Sequence, residues 1–240
     1  MESEPSTQNP WLRTGFLVSG CVVVLIAALA IFVIATNVTD HGDPAEPGTA
    51  GSAASREPTP AGGGCRLPAG NVAGVAVDLG TTTWRYATAI AYPTSPVFGP
   101  GANSGHGFRS CYQHSAGGAV FAAANALAFE NTGPAQARAW SDYMLARGPY
   151  HDQLLAADYV PNDPNIRLQI VGYRILSYSR TGALIDVAAR ASTAQETMII
   201  SCLSQLVWQR GDWRFSTDVP DPVNVVRIGD LTGYTAWSAR

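Results

Sequence analysis

Lysine is absent from this sequence: all 15 basic residues of the 240-residue chain are arginine. With alanine and glycine abundant, that bias points to a GC-rich bacterial genome, because lysine codons are AT-rich. Charge of either sign is also sparse, at 14% of residues with a formal net charge of −3 and a pI near 5.7. No basic patch of the kind nucleic-acid binding needs can be drawn on it, which argues against direct DNA contact. Cysteine is scarce too, with four in the chain. Cys111 and His114, with Cys65 and Cys202 as further ligands, offer zinc-type donor atoms, but the closely spaced ligand pairs of a structural zinc site are missing. A Cys/His nucleophile fares no better, since nothing marks an orienting third group or an oxyanion donor pair. The expectation is therefore no metal, no cofactor and no catalytic set.

What the sequence does have is one long apolar run. From Gly15 through Val22-Val23-Val24-Leu25-Ile26 to Ile31-Phe32-Val33-Ile34 and Thr36, no charge intervenes. That is the roughly 20 residues needed to cross the hydrocarbon of a bilayer. A cleaved signal peptide has a shorter apolar core followed by a small-x-small site, and neither fits here. Leu17-Val18-Ser19-Gly20-Cys21 resembles a lipoprotein box but opens the run instead of closing it, so Cys21 reads as a helix residue. Arg13 flanks the near end, Asp40 and Asp43 follow the far end, and no arginine follows the span until Arg56. Basic residues are retained on the cytoplasmic side, which predicts a cytoplasmic tail over 1–14, a transmembrane helix over 15–36 and translocation of everything beyond. Residues 37–64 lack bulky apolar side chains after Val38 and are rich in Pro, Gly and Ala. Such a segment buries too little surface to offset chain ordering and reads as a flexible tether.

Residues 65–240 amount to one α+β domain. Strands are predicted over 72–77 and 84–92, followed by a Pro/Gly-rich loop. Ser115 caps a helix whose body runs from Ala119 to Phe129 and which Gly133-Pro134 stops. A second helix is expected over 135–147, with Trp140, Tyr143 and Met144 on one side, and a short third from Pro149. Apolar stripes at helical period are usually core-facing, so these aromatics are not read as a cofactor box. After Asn162-Asp163-Pro164 the pattern turns to long strands over 166–180, 183–191, 197–209 and 213–217, the last pair joined by Arg210-Gly211-Asp212. In the second of these, Ile185 and Val187 share one face while Leu184, Asp186 and Arg190 share the other. Helices first and hairpins afterwards predict helices packed on one face of a curved antiparallel sheet.

Trp208-Gln209-Arg210-Gly211-Asp212-Trp213-Arg214-Phe215, an aromatic strand end, a Gly-Asp turn and a Trp-Arg-Phe return, resembles the last hairpin of the cone-shaped nuclear transport factor 2-like superfamily. Gly64-Cys65-Arg66-Leu67-Pro68, Pro93-Thr94-Ser95-Pro96 with Gly99-Pro100, and Cys111-Tyr112-Gln113-His114-Ser115-Ala116-Gly117-Gly118-Ala119 resemble uncharacterised actinobacterial membrane proteins carried by integrative and conjugative elements. That resemblance implies a part in DNA transfer between cells. Anchor, tether and cone together also resemble the bitopic assembly factor of type IV secretion systems and the Mce-associated membrane proteins, although a shared architecture does not transfer function.

The resemblance implies that a catalytic cone would use acids, His or Tyr, which leaves Asp142, Tyr143, His151, Asp152, Asp186 and Glu196 as the inventory, none in a diagnostic spacing. The plainer reading pairs Asp186 with a cross-strand arginine and sets Asp152 against the start of the third helix. Outside the cytoplasm disulfides persist. Met198, Ile200, Cys202, Leu206 and Trp208 alternate on one strand face, which makes Cys202 a core thiol and leaves Cys65 to bridge Cys111. The resulting expectation is a non-enzymatic, membrane-anchored component of a conjugation or secretion apparatus. Its partners would be the lipid bilayer and other envelope proteins, with homo-oligomerisation open. The alternatives are a cone-pocket enzyme or small-ligand binder, with Asp142, Tyr143, His151 and Asp186 as pocket residues, and a lipid-transport accessory of the Mce-associated type.

Overall fold

The computed structural model describes residues 67–239, apart from positions 69, 71–76, 88–89, 105–106, 130–132, 158–162 and 164. The predicted membrane helix, the tether, Cys65 and nearly all of the strand at 72–77 lie outside the described residues. Among those described, no helix is long and apolar enough to cross a membrane.

The chain builds a mixed α+β domain. In order it forms β1 (Thr83–Ala87), β2 (Ile90–Thr94), β3 (Ala102–Asn103), β4 (Arg109–Ser110), α1 (Ala116–Leu127), α2 (Pro134–Met144) and α3 (His151–Leu155). There follow β5 (Arg167–Tyr178), β6 (Gly182–Ser192), β7 (Thr197–Gln209), β8 (Asp212–Phe215), β9 (Val223–Ile228) and β10 (Thr235–Ala236). The main sheet runs β10-β5-β6-β7-β8, all antiparallel. The 13-residue β7 is long enough to hold two partners on one edge, β8 along 206–209 and β9 along 199–204. Register shifts in β5 at Ile170/Gly172 and Ile175/Ser177 are bulges, which bend and twist a strand.

The faces of β6 sort as its alternation predicts. Ala183, Ile185 and Val187 enter the main core with α1, whereas Leu184, Asp186 and Arg190 point away. α1 is buried from Ala116 to Ala126, because its alanines and glycines let the backbone lie close to the sheet. Ser115 caps it, its Oγ accepting from the Gly118 N–H at 3.1 Å. Trp237 closes the core from the C-terminal side, its ring 5.1–5.5 Å from those of Trp84, Phe121 and Tyr173.

Three elements differ from the sequence reading. The strand expected over 84–92 is a hairpin, β1 and β2 paired from Thr83↔Thr94 to Ala87↔Ile90, with no Gly or Pro at its turn to announce it. The second helix ends at Met144 and not near Arg147. There Leu145 turns extended and residues 145–150 run beside 215–217, with Ala146 N–H donating to Phe215 O and Tyr150 N–H to Thr217 O, both at 2.9 Å. The C-terminal strands β9 and β10 have no counterpart in the sequence reading, since both expose much of their length.

Candidate functional site

The hairpin between β7 and β8 turns through two left-handed residues, Arg210 (φ 57°) and Gly211 (φ 78°), the signature of a two-residue primed turn. The turn delivers Asp212 to the interior, 2% exposed. Its Oδ1 accepts from the N–H groups of Tyr112 and Trp213, each at 2.9 Å. Its Oδ2 accepts from the Cys111 N–H at 2.7 Å and from the Tyr143 hydroxyl. Trp213 answers by donating its Nε1–H to Gln113 O at 3.0 Å. The His114 ring stacks on Trp208 at 3.9 Å and its Nε2–H donates to Arg180 O. The two segments that carried the family resemblance thus lock together around one buried carboxylate, and this lock holds Ser115 where it caps α1.

Burial pushes the Asp212 carboxyl above its ordinary range, against the pull of the Tyr143 and backbone donors. Desolvation, then the Asp212 charge, raises the phenols of Tyr143 and Tyr112. The Arg214 guanidinium lies 4.2 Å from the Tyr143 ring and is lowered by burial. With donors from three segments of the chain converging on both its oxygens, Asp212 is a structural tie. Sequence reasoning takes it only as part of a turn; the signal that could have found it is an acid opening a strand whose next residues are Trp, Arg and Phe.

The expected pocket residues fall into three side-chain clusters. Tyr143 belongs to Asp212. Asp142 and His151 are linked through Arg147, whose Nη2 lies 3.4 Å from Asp142 Oδ1 and whose Nη1 lies 3.3 Å from His151 Nδ1. His151 Nδ1 also meets Asp152 Oδ1 at 2.8 Å, and Asp152, in the first turn of α3, is lowered chiefly by that hydrogen bond. Asp186 sits on the opposite face of the sheet. It accepts from Arg174 Nε at 2.9 Å, Ser201 Oγ at 2.7 Å and the Tyr234 hydroxyl at 2.7 Å, so the cross-strand arginine expected for it is Arg174. Glu196 pairs with Arg227 at 3.2 Å near the surface.

Cys202 is a buried free thiol, its pKa pushed up to about 12 by burial and by the Asp186 charge. Cys111 is disulfide-bonded to a cysteine outside the described residues. Leu67 and Cys111 both lie within 3.4 Å of where a side chain on Gly101 would begin, and Gln113 Nε2–H donates to Pro68 O at 3.0 Å. The chain just after Cys65 therefore runs beside Cys111. No group of three or more His, Cys, Asp or Glu side chains is arranged to hold a metal among the described residues.

Residues 44–236 match the family model described as "Domain of unknown function (DUF8175)". The chain belongs to the DUF8175 family. No curated protein and no solved structure matches it. The DUF8175 match takes in every strand and helix among the described residues and begins within the segment read from sequence as a tether.

Proposed function

We propose that this DUF8175 protein is a membrane-anchored, extracytoplasmic, non-enzymatic assembly component of a conjugation or secretion apparatus. The observation that carries the reading is the fate of the buried acids. Asp186 and Asp212, the two buried carboxylates among the described residues, turn their oxygens to internal donors that tie distant segments together. A catalytic acid or base needs a face open to substrate; these are arranged as clamps. The Cys111 disulfide supports an oxidising compartment, and its assignment to Cys65 belongs to the same proposal. The antiparallel meander with helices on one face supports the nuclear transport factor 2-like reading, which by itself leaves function open.

Deleting the gene from its parent element tests the proposal. Transfer of the element falls sharply, and the tagged full chain captures other envelope proteins of the same element. Alanine at Asp142, whose ion pair is exposed, leaves transfer intact. Undiminished transfer in the deletion strain would overturn the assignment.

A further inference from the structure

The β1–β2 hairpin presents Thr83, Arg85, Tyr92 and Thr94 on one face, as its register requires. Ser95, Pro96, Pro100 and Asn103, the last residue of β3, border that face, and between them lies a recess of about 460 Å³, a size that suits a small ligand. Its lining is unusual for this acidic chain: a cation, hydroxyls and an amide, with no carboxylate. Most ligand pockets are largely apolar, so this one suits a hydrophilic guest.

The hydrogen-bonding capacity inside it is open. Arg85 is exposed and its guanidinium has no acceptor among the described residues. Ser95 Oγ accepts from the Val97 and Phe98 N–H groups at 3.1 and 3.3 Å, which leaves its own proton to give. Thr94 donates to Thr83 O at 3.0 Å and keeps its lone pairs for an incoming hydroxyl. Asn103 adds an exposed amide, and Pro96 and Pro100 supply flat apolar edges. Behind the Tyr92 ring, 3.9 Å from its centroid, lies the Arg109 guanidinium, held by Ala128 O at 2.6 Å. Arg109 does not itself line the recess.

We infer that this recess binds an acidic saccharide, with the Arg85 guanidinium gripping the carboxylate and Ser95, Thr94 and Asn103 pairing with ring hydroxyls. One open guanidinium matches one carboxylate in a two-pronged hydrogen bond. A dianionic phosphate would call for a second open cation, which the lining lacks. The second recess, of about 720 Å³ beside Arg167, is lined by Asp163 as well, so its cation faces a competing acid. The inference rests on the recess alone and stands or falls separately from the part played in transfer.

Calorimetric titration of the full chain in a neutral detergent tests it, with glucuronate, glucose and inorganic phosphate as probes. Glucuronate binds, glucose gives no measurable heat, and phosphate binds more weakly than glucuronate. Arg85→Gln weakens glucuronate about tenfold or more, as loss of a charge-assisted pair should. Asn103→Ala weakens it less. Because Arg85 is exposed, the variant keeps the urea midpoint of the parent, which separates lost binding from lost folding. Equal affinity for glucose and glucuronate, tighter phosphate binding, an unchanged Arg85→Gln titration or no glucuronate binding at all would each overturn the assignment.

Discussion

At the scale of single residues, burial decides which charges matter. Asp212 and Asp142 each meet an apparent partner, but their surroundings differ. Asp212→Ala strands the N–H groups of Cys111 and Tyr112, at least one of them fully buried, and should cost about 3–5 kcal/mol. Asp142→Ala breaks a pair whose side chains are 57% and 54% exposed, and should change stability by less than about 1 kcal/mol. Urea unfolding of the two variants side by side measures the contrast; equal losses would mean that Asp212 is no tie. Cys202 adds a pH dependence of definite sign. Its thiol pKa is about 12 in the fold against 9.0 for an unperturbed thiol, so above pH 9 the unfolded chain releases a proton that the folded chain keeps. Its contribution to stability is intact below pH 9 and is lost as pH rises from 9 towards 12. Near about pH 10 the loss reaches about 1 kcal/mol and should vanish in Cys202→Ala, read as the difference between the two urea midpoints at neutral and alkaline pH.

At the scale of elements, packing overrides propensity at the start of α1. Alanine normally stabilises a helix by about 1 kcal/mol over glycine. At Gly118, however, a Cβ would fall 1.8 Å from Gln113 O and 2.7 Å from its carbonyl carbon, inside the very loop that Asp212 and Trp213 clamp. Backbone so fixed cannot yield, and Gly118→Ala should lower stability by about 2–3 kcal/mol. Gly229→Ala, which meets nothing within 4 Å, should stay within about 0.5 kcal/mol. A Gly118→Ala melting temperature at or above the parent's would show that the loop moves freely. The same contrast explains what could be read from sequence. Helix α1 with its Ser115 cap and the β5–β8 meander were legible because their periods, cap and turn residues are local. The end of α2 was not, because its stop comes from pairing with residues 215–217, far along the chain. Asp186 was legible in part: β-alternation gave its face and suggested a cross-strand arginine, and the register of the structure makes that arginine Arg174. The Asp212 lock was not, because it joins residues 100 apart whose separate motifs say nothing of each other. The β1–β2 recess was hidden for a similar reason: its turn carries neither Gly nor Pro, so Arg85 and Tyr92 read as far ends of one strand and not as partners across two.

At the scale of the whole molecule, the proposed membrane anchor can be tested through the side on which the domain stands. The uncharged run from Gly15, with Arg13 before it and acids after it, predicts an uncleaved anchor with the C-terminus outside. An independent line comes from Cys111, which is oxidised, and whose N–H is one of the donors to Asp212. In a reducing cytoplasm that bond would be reduced, and the loop would lose a covalent restraint of about 2–4 kcal/mol at the point where the fold's central lock closes. The proposed orientation and the Cys111 bridge thus call for the same compartment. Fusion of reporters after Arg240 should give activity with an enzyme that works only outside the cytoplasm and silence with one that works only inside. Non-reducing peptide mapping of the same membranes should recover Cys65 joined to Cys111, with Cys202 free. The opposite reporter pattern would reverse the orientation, a mature chain beginning beyond Thr36 would remove the anchor, and a bridge from Cys111 to Cys21 would place residue 21 outside the bilayer core and so defeat both.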